Sequence, residues 1–358
     1  MSYRFEHGET IPDGVRRIAR EQIDDALELL AEPADHVEEA VHEVRKNCKK
    51  LRGLVRLMRP GMGDDYTTAN VTFRDAAREL SSIRDAHALL ETFDELVAAH
   101  ASRVHTQGVT SVRAELSRRA TEASEAVTSD DERIEHAHAL LTEGRDRIND
   151  WPLDDDADVL GAGAAKTYKR GRKRLRDSMV DPTDENLHQW RKRVKYTWYH
   201  LRLVRDSAPS VLKPLVKRFH DLSDVLGDDH DLAVLTEQLH ATPDAFGGHA
   251  AVGRAMEIID ASRDDLQRRA RSLGSRLYVE SPGAFAERLT GYWSTWQEHG
   301  DGFKAGEIAD LASVDDDLAE RTVSELYAIA QDLDIPGRSR MDRDDLIGTI
   351  RAAGWVAA

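Results

Sequence analysis

Apolar residues recur along this chain at helical spacing. Val41, Val44, Cys48, Leu51, Val55 and Met58 step by 3, 4, 3, 4, 3 and form one face of a helix. The same periodicity predicts helices over about 13–31, 33–59, 65–84, 86–101, 106–127 and 131–149. It then predicts about 158–179, 183–206, 210–226, 229–240, 247–273 and 282–299. Pro33 opens the second helix and Asp181-Pro182 resets the chain before its counterpart, because proline is tolerated in a first helical turn. Pro60-Gly61 ends the second helix, and Trp151-Pro152 with the acids at 154–156 marks a junction. With few aromatic residues and ten prolines in 358 residues, the expected fold class is all-α.

Beside the apolar face runs a basic one. His42, Arg45, Lys49, Arg52, Arg56 and Arg59 keep the same steps one position later, and Lys46 and Lys50 widen the stripe. An offset of 146 residues reproduces both faces: Leu187, Trp190, Val194, Thr197, Leu201 and Val204, then His188, Arg191, Lys195, Trp198, Arg202 and Arg205. Lys192 follows Arg191 as Lys46 follows Arg45. Like charges three or four apart on a helix repel by about 0.2–0.5 kcal/mol per pair, so one stripe costs about 1–2 kcal/mol. A solvated face ordinarily mixes signs. Arg84-Asp85 and His230-Asp231 lie at equal distances beyond His42 and His188, so the repeat extends past one helix pair. The expectation is two tandem helical bundles, about 1–151 and 152–299, related by a pseudo-twofold that turns the stripes into one basic cleft.

Composition alone argues the other way, since the formal charge is −16. Its distribution reverses that. Residues 42–59, 166–176 and 188–205 hold 20 of the 50 Lys and Arg and one of the 66 Asp and Glu. The remainder is strongly acidic, which would repel bulky polyanions outside the basic zone. Cys48 is the only cysteine, sits in the apolar stripe and excludes an intrachain disulfide. Neither a signal-peptide run nor an apolar stretch of about 18 residues occurs, so a cytoplasmic location is expected and no membrane span. Residues 300–358 predict a small helix–loop–helix module: Val323, Leu326, Ile329, Ala330 and Leu333, then a helix from 342 to 352 carrying Leu346, Ile347 and Ile350.

The words His42-x-x-Arg45-Lys46-x-x-Lys49 and His188-x-x-Arg191-Lys192-x-x-Lys195, the two later Asp words and the Tyr-Lys-Arg-Gly-Arg-Lys run at 168–173 make residues 1–299 resemble a CHAD domain (conserved histidine α-helical domain). The resemblance implies paired helical bundles around a basic cavity that binds inorganic polyphosphate, without catalysis or cofactor, and hence an association with polyphosphate granules. In this sequence the implied contacts are His42, Arg45, Lys46, Lys49, Lys50, Arg52, Arg56, Tyr168, Lys169, Arg172, Lys173, His188, Arg191, Lys192, Lys195 and Arg202. Arg16, Arg17 and Arg20 are assigned a comparable role early in the first half. The repeat begins close to Met1, so the triphosphate-hydrolysing domain fused to some relatives is not expected ahead of it. Tyr196 and Trp198 stand where the first copy has Lys50 and Arg52, which makes the second stripe less charged. The tail, from Ile335-Pro336-Gly337 to Leu346, is similar to the N-terminal helical module of transcription termination factor Rho and to SAP-like modules. That similarity implies nucleic-acid contact through Arg338, Arg340 and Arg343, against which Asp334, Asp342, Asp344 and Asp345 weigh; a protein-docking role is the other reading.

A linear polyanion suits the stripe physically, because about 26 Å of helix, at roughly 1.5 Å per residue, presents evenly spaced cations to successive phosphates. A bound anion favours protonated imidazole, so tighter binding is expected below about pH 6.5, the ordinary histidine value. Asp85 and Asp231 are read as structural, capping a nearby helix start or holding an arginine, with no metal site assigned. Two alternatives are carried forward. A nucleic-acid-binding protein would use Tyr196, Trp198 and Tyr199 for stacking. A metal-dependent phosphohydrolase of HD type would use His188, His230, Asp231 and the acids Asp228 and Asp229.

Overall fold

The computed structural model describes residues 3–31, 37–100, 106–125, 132–300, 318, 321–333, 335, 338 and 341–352, leaving aside the side chains of 82–85, 106–108, 124, 332 and 351–352. Every regular element among them is helical, as expected for an all-α chain. The helices are α1 (Ile11–Ala31), α2 (Val37–Leu57), α3 (Asp65–Glu79), α4 (Ser81–Ala99), α5 (Thr106–Glu125) and α6 (Glu132–Asp146). They continue with α7 (Ala157–Val180), α8 (Asp184–Val204), α9 (Pro209–Ala241), α10 (His249–Leu277) and α11 (Pro282–His299). Two short helices, α12 (Val323–Asp332) and α13 (Arg343–Ala352), follow. Two compact units result, Met1–Glu298 and His299–Ala358. None of the described helices is long and apolar enough to cross a membrane.

In the first unit α1, α2, α3 and α6 pack on one another, as do α7, α8, α9 and α10. The hairpin of α4 and α5 lies against α9 and α10 of the other half. The predicted apolar face of α2 is fully buried, Cys48 included, and so is its counterpart on α8 around Trp190 and Val194. Local chemistry sets the starts of the second half. Asp156 caps α7 by accepting from the Asp158 amide at 2.9 Å, and Thr183 caps α8 by accepting from the Asn186 amide at 3.3 Å. Pro33 lies outside the described residues.

The expected break before Asp231 is absent. α9 runs unbroken through Gly227, Asp228 and Asp229 because tertiary contacts favour the helix there. Gly227 faces the Arg191 guanidinium, and buried Asp229 accepts from Arg263 at 3.1 Å and Gln267 at 3.0 Å. Asp231 therefore sits in mid-helix and caps nothing; the arginine is held by Asp229 instead. In the first half the corresponding break falls at Leu80, which places Asp85 inside α4, with its side chain outside the description.

The halves meet where α2 and α8 cross. A Cβ on Gly53 would lie 2.9 Å from the Tyr199 Cβ, and one on Gly163 of α7 only 1.8 Å from the Leu57 carbonyl oxygen, so both backbones approach too closely for a side chain. His200 closes on the Gly53 carbonyl at 3.1 Å. Tyr3 and Phe5, ahead of any helix, also bind the halves together. The Tyr3 ring packs edge-on against Tyr199, 5.7 Å between centres, while its hydroxyl donates within the first half to the Lys50 carbonyl at 2.8 Å; the Phe5 amide donates to the Leu203 carbonyl at 2.9 Å. The second unit has its own small core, in which Leu318, Leu326, Ala330, Ile335, Leu346, Ile347 and Ile350 are buried. A capping box of Thr322 and Glu325 starts α12.

Candidate functional site

Helix α2 separates its basic residues into two groups. Lys49, Arg52 and Arg56 line a cavity of about 380 Å³ facing α8. Lys50 turns toward α1, where its amine donates to Gln22 Oε1 at 2.7 Å and Asn47 Oδ1 at 2.9 Å. Lys46 pairs with Glu43 at 2.9 Å, and Arg45 donates to the Ala77 carbonyl at 3.2 Å. His42, Arg45, Lys46 and Lys50 are not part of the cavity wall.

Helix α8 supplies the opposite wall through His188, Gln189, Arg191, Lys192, Arg193, Lys195, Tyr196 and Tyr199. Seven Lys and Arg side chains thus converge, and among the described residues no carboxylate lines the cavity. None of the seven makes an ion pair among the described residues. Arg52 and Arg56 are oriented by neutral groups: the Asn70 amide oxygen accepts from both, at 3.4 and 3.0 Å, and the Arg56 guanidinium lies 4.4 Å from the Tyr196 ring centre. Tyr196 therefore replaces a cation of the first copy with a platform for one. Arg191 lacks a hydrogen-bond partner at its buried Nε.

Arg193 was missed in the sequence because it falls off the three-and-four stripe. Its neighbours are Arg56, Arg170 and Arg174, so α7 brings Arg170 and Arg174 toward this wall. The expected α7 contacts lie elsewhere. Tyr168 is buried in the core, stacks on Phe285 at 4.3 Å and donates to the Leu277 carbonyl at 2.9 Å. Lys173 pairs with Asp177 at 2.8 Å, and Lys169 and Arg172 do not line the cavity. The α1 arginines are structural. Arg16 donates to the Trp151 carbonyl, Arg17 to Glu9 and Glu21, and Arg20 to Asn149. Arg202 lines a neighbouring cavity with Trp198.

Crowded cations shift one another's titration. Lys49 is exposed as a residue, yet protein packs around its amine; burial first, then Lys195, Arg45 and Arg191, lower its pKa to about 7. Burial and then Arg191 lower Lys195 to about 8, opposed by Asp224 and Asp231. His188 stacks on His230 at 4.2 Å, and burial, His230, Lys192 and Arg191 lower its pKa to about 4. The ordinary histidine value used to anticipate a change near pH 6.5 does not apply to His188, which is neutral there.

The acids named for an HD-type centre are separated. Asp229 is engaged by Arg263 and Gln267, while Asp228 and Asp231 line another cavity with Glu95 and Asp265. There burial and then Asp224 raise Asp228 to about 6. No three His, Cys, Asp or Glu side chains converge to hold a metal ion among the described residues. In the second unit Arg338 donates to the Ile335 carbonyl at 3.1 Å and Arg343 to that of Arg321 at 3.3 Å; Arg340 lies outside the described residues.

Comparison with known families gives two matches. A family model described as CHAD domain matches residues 17–240, ending within α9, while the compact unit continues to Glu298. One described as Rho termination factor, N-terminal domain, matches residues 317–353. No curated protein matches the chain.

Proposed function

The chain belongs to the CHAD-domain family, and from that premise we propose that it binds inorganic polyphosphate, without chemistry on it, in the cavity between α2 and α8. One observation carries the reading: Lys49, Arg52, Arg56, Arg191, Lys192, Arg193 and Lys195 share a cavity in which, among the described residues, no carboxylate lines the wall and no ion pair neutralises them. Such a group destabilises the empty fold, and an anion that binds only the folded state relieves it. Guanidinium forks grip phosphate oxygens in two directions, while the lysines act as adjustable point charges. Release of counterions from the polyanion adds affinity that falls with salt. Asp231 contributes through its field, favouring the ammonium forms of Lys49 and Lys195.

A phosphate polymer without bases fits better than a nucleic acid, because the aromatic rings are occupied. Tyr199 is buried, Arg56 covers Tyr196, and Arg202 lies 4.9 Å from the Trp198 ring centre. Stacking would have to displace those contacts. On this reading the protein works where polyphosphate accumulates, in the cytoplasm and at polyphosphate granules. The C-terminal unit, similar to a Rho N-terminal domain, serves as a separate contact for nucleic acid or protein. Competition at fixed salt tests the reading. Long-chain polyphosphate is expected to displace a labelled polyphosphate probe at least about tenfold more effectively, per phosphate, than single-stranded DNA or RNA. Equal displacement would overturn it.

A further inference from the structure

A second cavity, about 340 Å³, opens between α8 and α9, and cations outnumber carboxylates in its lining. Arg202, Arg205, Lys213 and Lys217 face it, with Asp221 as its one lining carboxylate. Asp206, behind it, is shared by three cations: Arg4 at 2.6 Å, Lys213 at 3.3 Å and Arg205 at 3.7 Å. Asp221 is shared by Lys217 at 3.3 Å and Arg218 at 3.2 Å. His220 pairs with Asp224 at 2.5 Å.

Two guanidiniums keep unused capacity. Arg202 has no carboxylate partner among the described residues; it is held between the rings of Trp198 at 4.9 Å and Tyr3 at 5.3 Å. Aromatic faces fix a cation in place without cancelling its charge. The buried Arg205 Nε, 3.7 Å from Asp206, has no hydrogen-bond partner among the described residues. The tryptophan that interrupts the second basic stripe is thus the support for its next arginine.

The two cavities are neighbours along α8. Tyr199 lines the first and Trp198 the second, and their rings lie 4.8 Å apart. Resting on the polyphosphate reading of the first cavity, we infer that the second pocket holds the end of a polyphosphate chain that overruns the first. A chain long enough to occupy both gains the affinity of a tethered second contact. A chain confined to the first gains nothing from it, so the protein discriminates by length.

The test measures binding of tripolyphosphate and of a chain of many tens of phosphates to the full-length protein and its Lys213→Ala/Lys217→Ala variant. Both lysines are exposed and lie outside the first cavity, so the variant keeps the fold. Long-chain affinity is expected to fall at least about tenfold, with tripolyphosphate affinity unchanged. The salt slope for the long chain is expected to fall by about 0.7 per contact removed. An unchanged long-chain affinity, or an equal loss for both ligands, overturns the second pocket while leaving the first in place. Failure of the unaltered protein to bind either ligand overturns the reading of the first cavity and this inference with it.

Discussion

Lys49 and Lys195 share a cavity with Arg191, and burial first, then the neighbouring cations, lower their pKa values to about 7 and about 8, with the fields of Asp224 and Asp231 in opposition. A polyanion favours the ammonium form, so each bound pKa lies above the free one. Binding therefore takes up protons, and affinity is greatest below pH 7 and declines as pH rises through 7 to 9. His188, lowered to about 4, adds a further increment only in more acid solution. Calorimetry at about pH 7.5 in buffers of different ionisation heat is expected to register proton uptake, reduced in Lys49→Arg. An affinity constant from about pH 6.5 to about pH 9 would contradict this assignment. Sequence alone could not divide Lys49 from Lys50, since one belongs to the stripe and the other widens it. What separates them is a buried amide pair, Gln22 and Asn47, that draws only Lys50 toward α1. Tyr168 was unreadable for a similar reason: its ring stack and carbonyl partner come from residues more than a hundred positions away.

Helices α2, α7 and α8 carry the cations, and their separation sets the cavity. Gly163 lets α7 rest on the end of α2, with the Leu57 carbonyl where a Cβ would stand. Gly163→Ala is expected to cost about 1–3 kcal/mol in denaturant unfolding, as overpacking does, and to weaken polyphosphate binding by spreading the walls. Wild-type stability in that variant would show that the close approach is dispensable. Periodicity made α2 and α8 legible, together with Lys49, Arg52, Arg56, Arg191 and Lys195, because a stripe needs only local spacing. It could not expose Arg193, which reaches the cavity from another angle, near Arg56 and Arg170. Nor could it foresee an unbroken α9, where Gly227 and three acidic positions read as a stop until Arg191, Arg263 and Gln267 pack against them.

Across the first unit, residues separated by the 146-residue offset meet. Gly53 packs against Tyr199, and Lys49 feels Lys195 across the cavity. These contacts join equivalent positions of the repeat where α2 and α8 cross. They also reconcile a chain of net charge −16 with an anionic ligand, because seven positive residues line one cavity that no carboxylate among the described residues lines. The repeated words made this organisation readable, whereas the partnership of the α4–α5 hairpin with α9 and α10 had no local signature.

If the cations are held for a ligand, removing them should loosen binding and tighten the fold. The most direct measurement compares the wild-type protein with Lys49→Met/Arg191→Met/Lys195→Met in calorimetric titration with polyphosphate and in thermal unfolding without it. Affinity is predicted to fall at least about 100-fold, as expected when several charge-assisted contacts are lost. The melting temperature of the free variant is predicted to rise by about 2 °C or more, from relief of roughly 1 kcal/mol of repulsion. A folded variant that binds polyphosphate as tightly as the wild type would contradict the account.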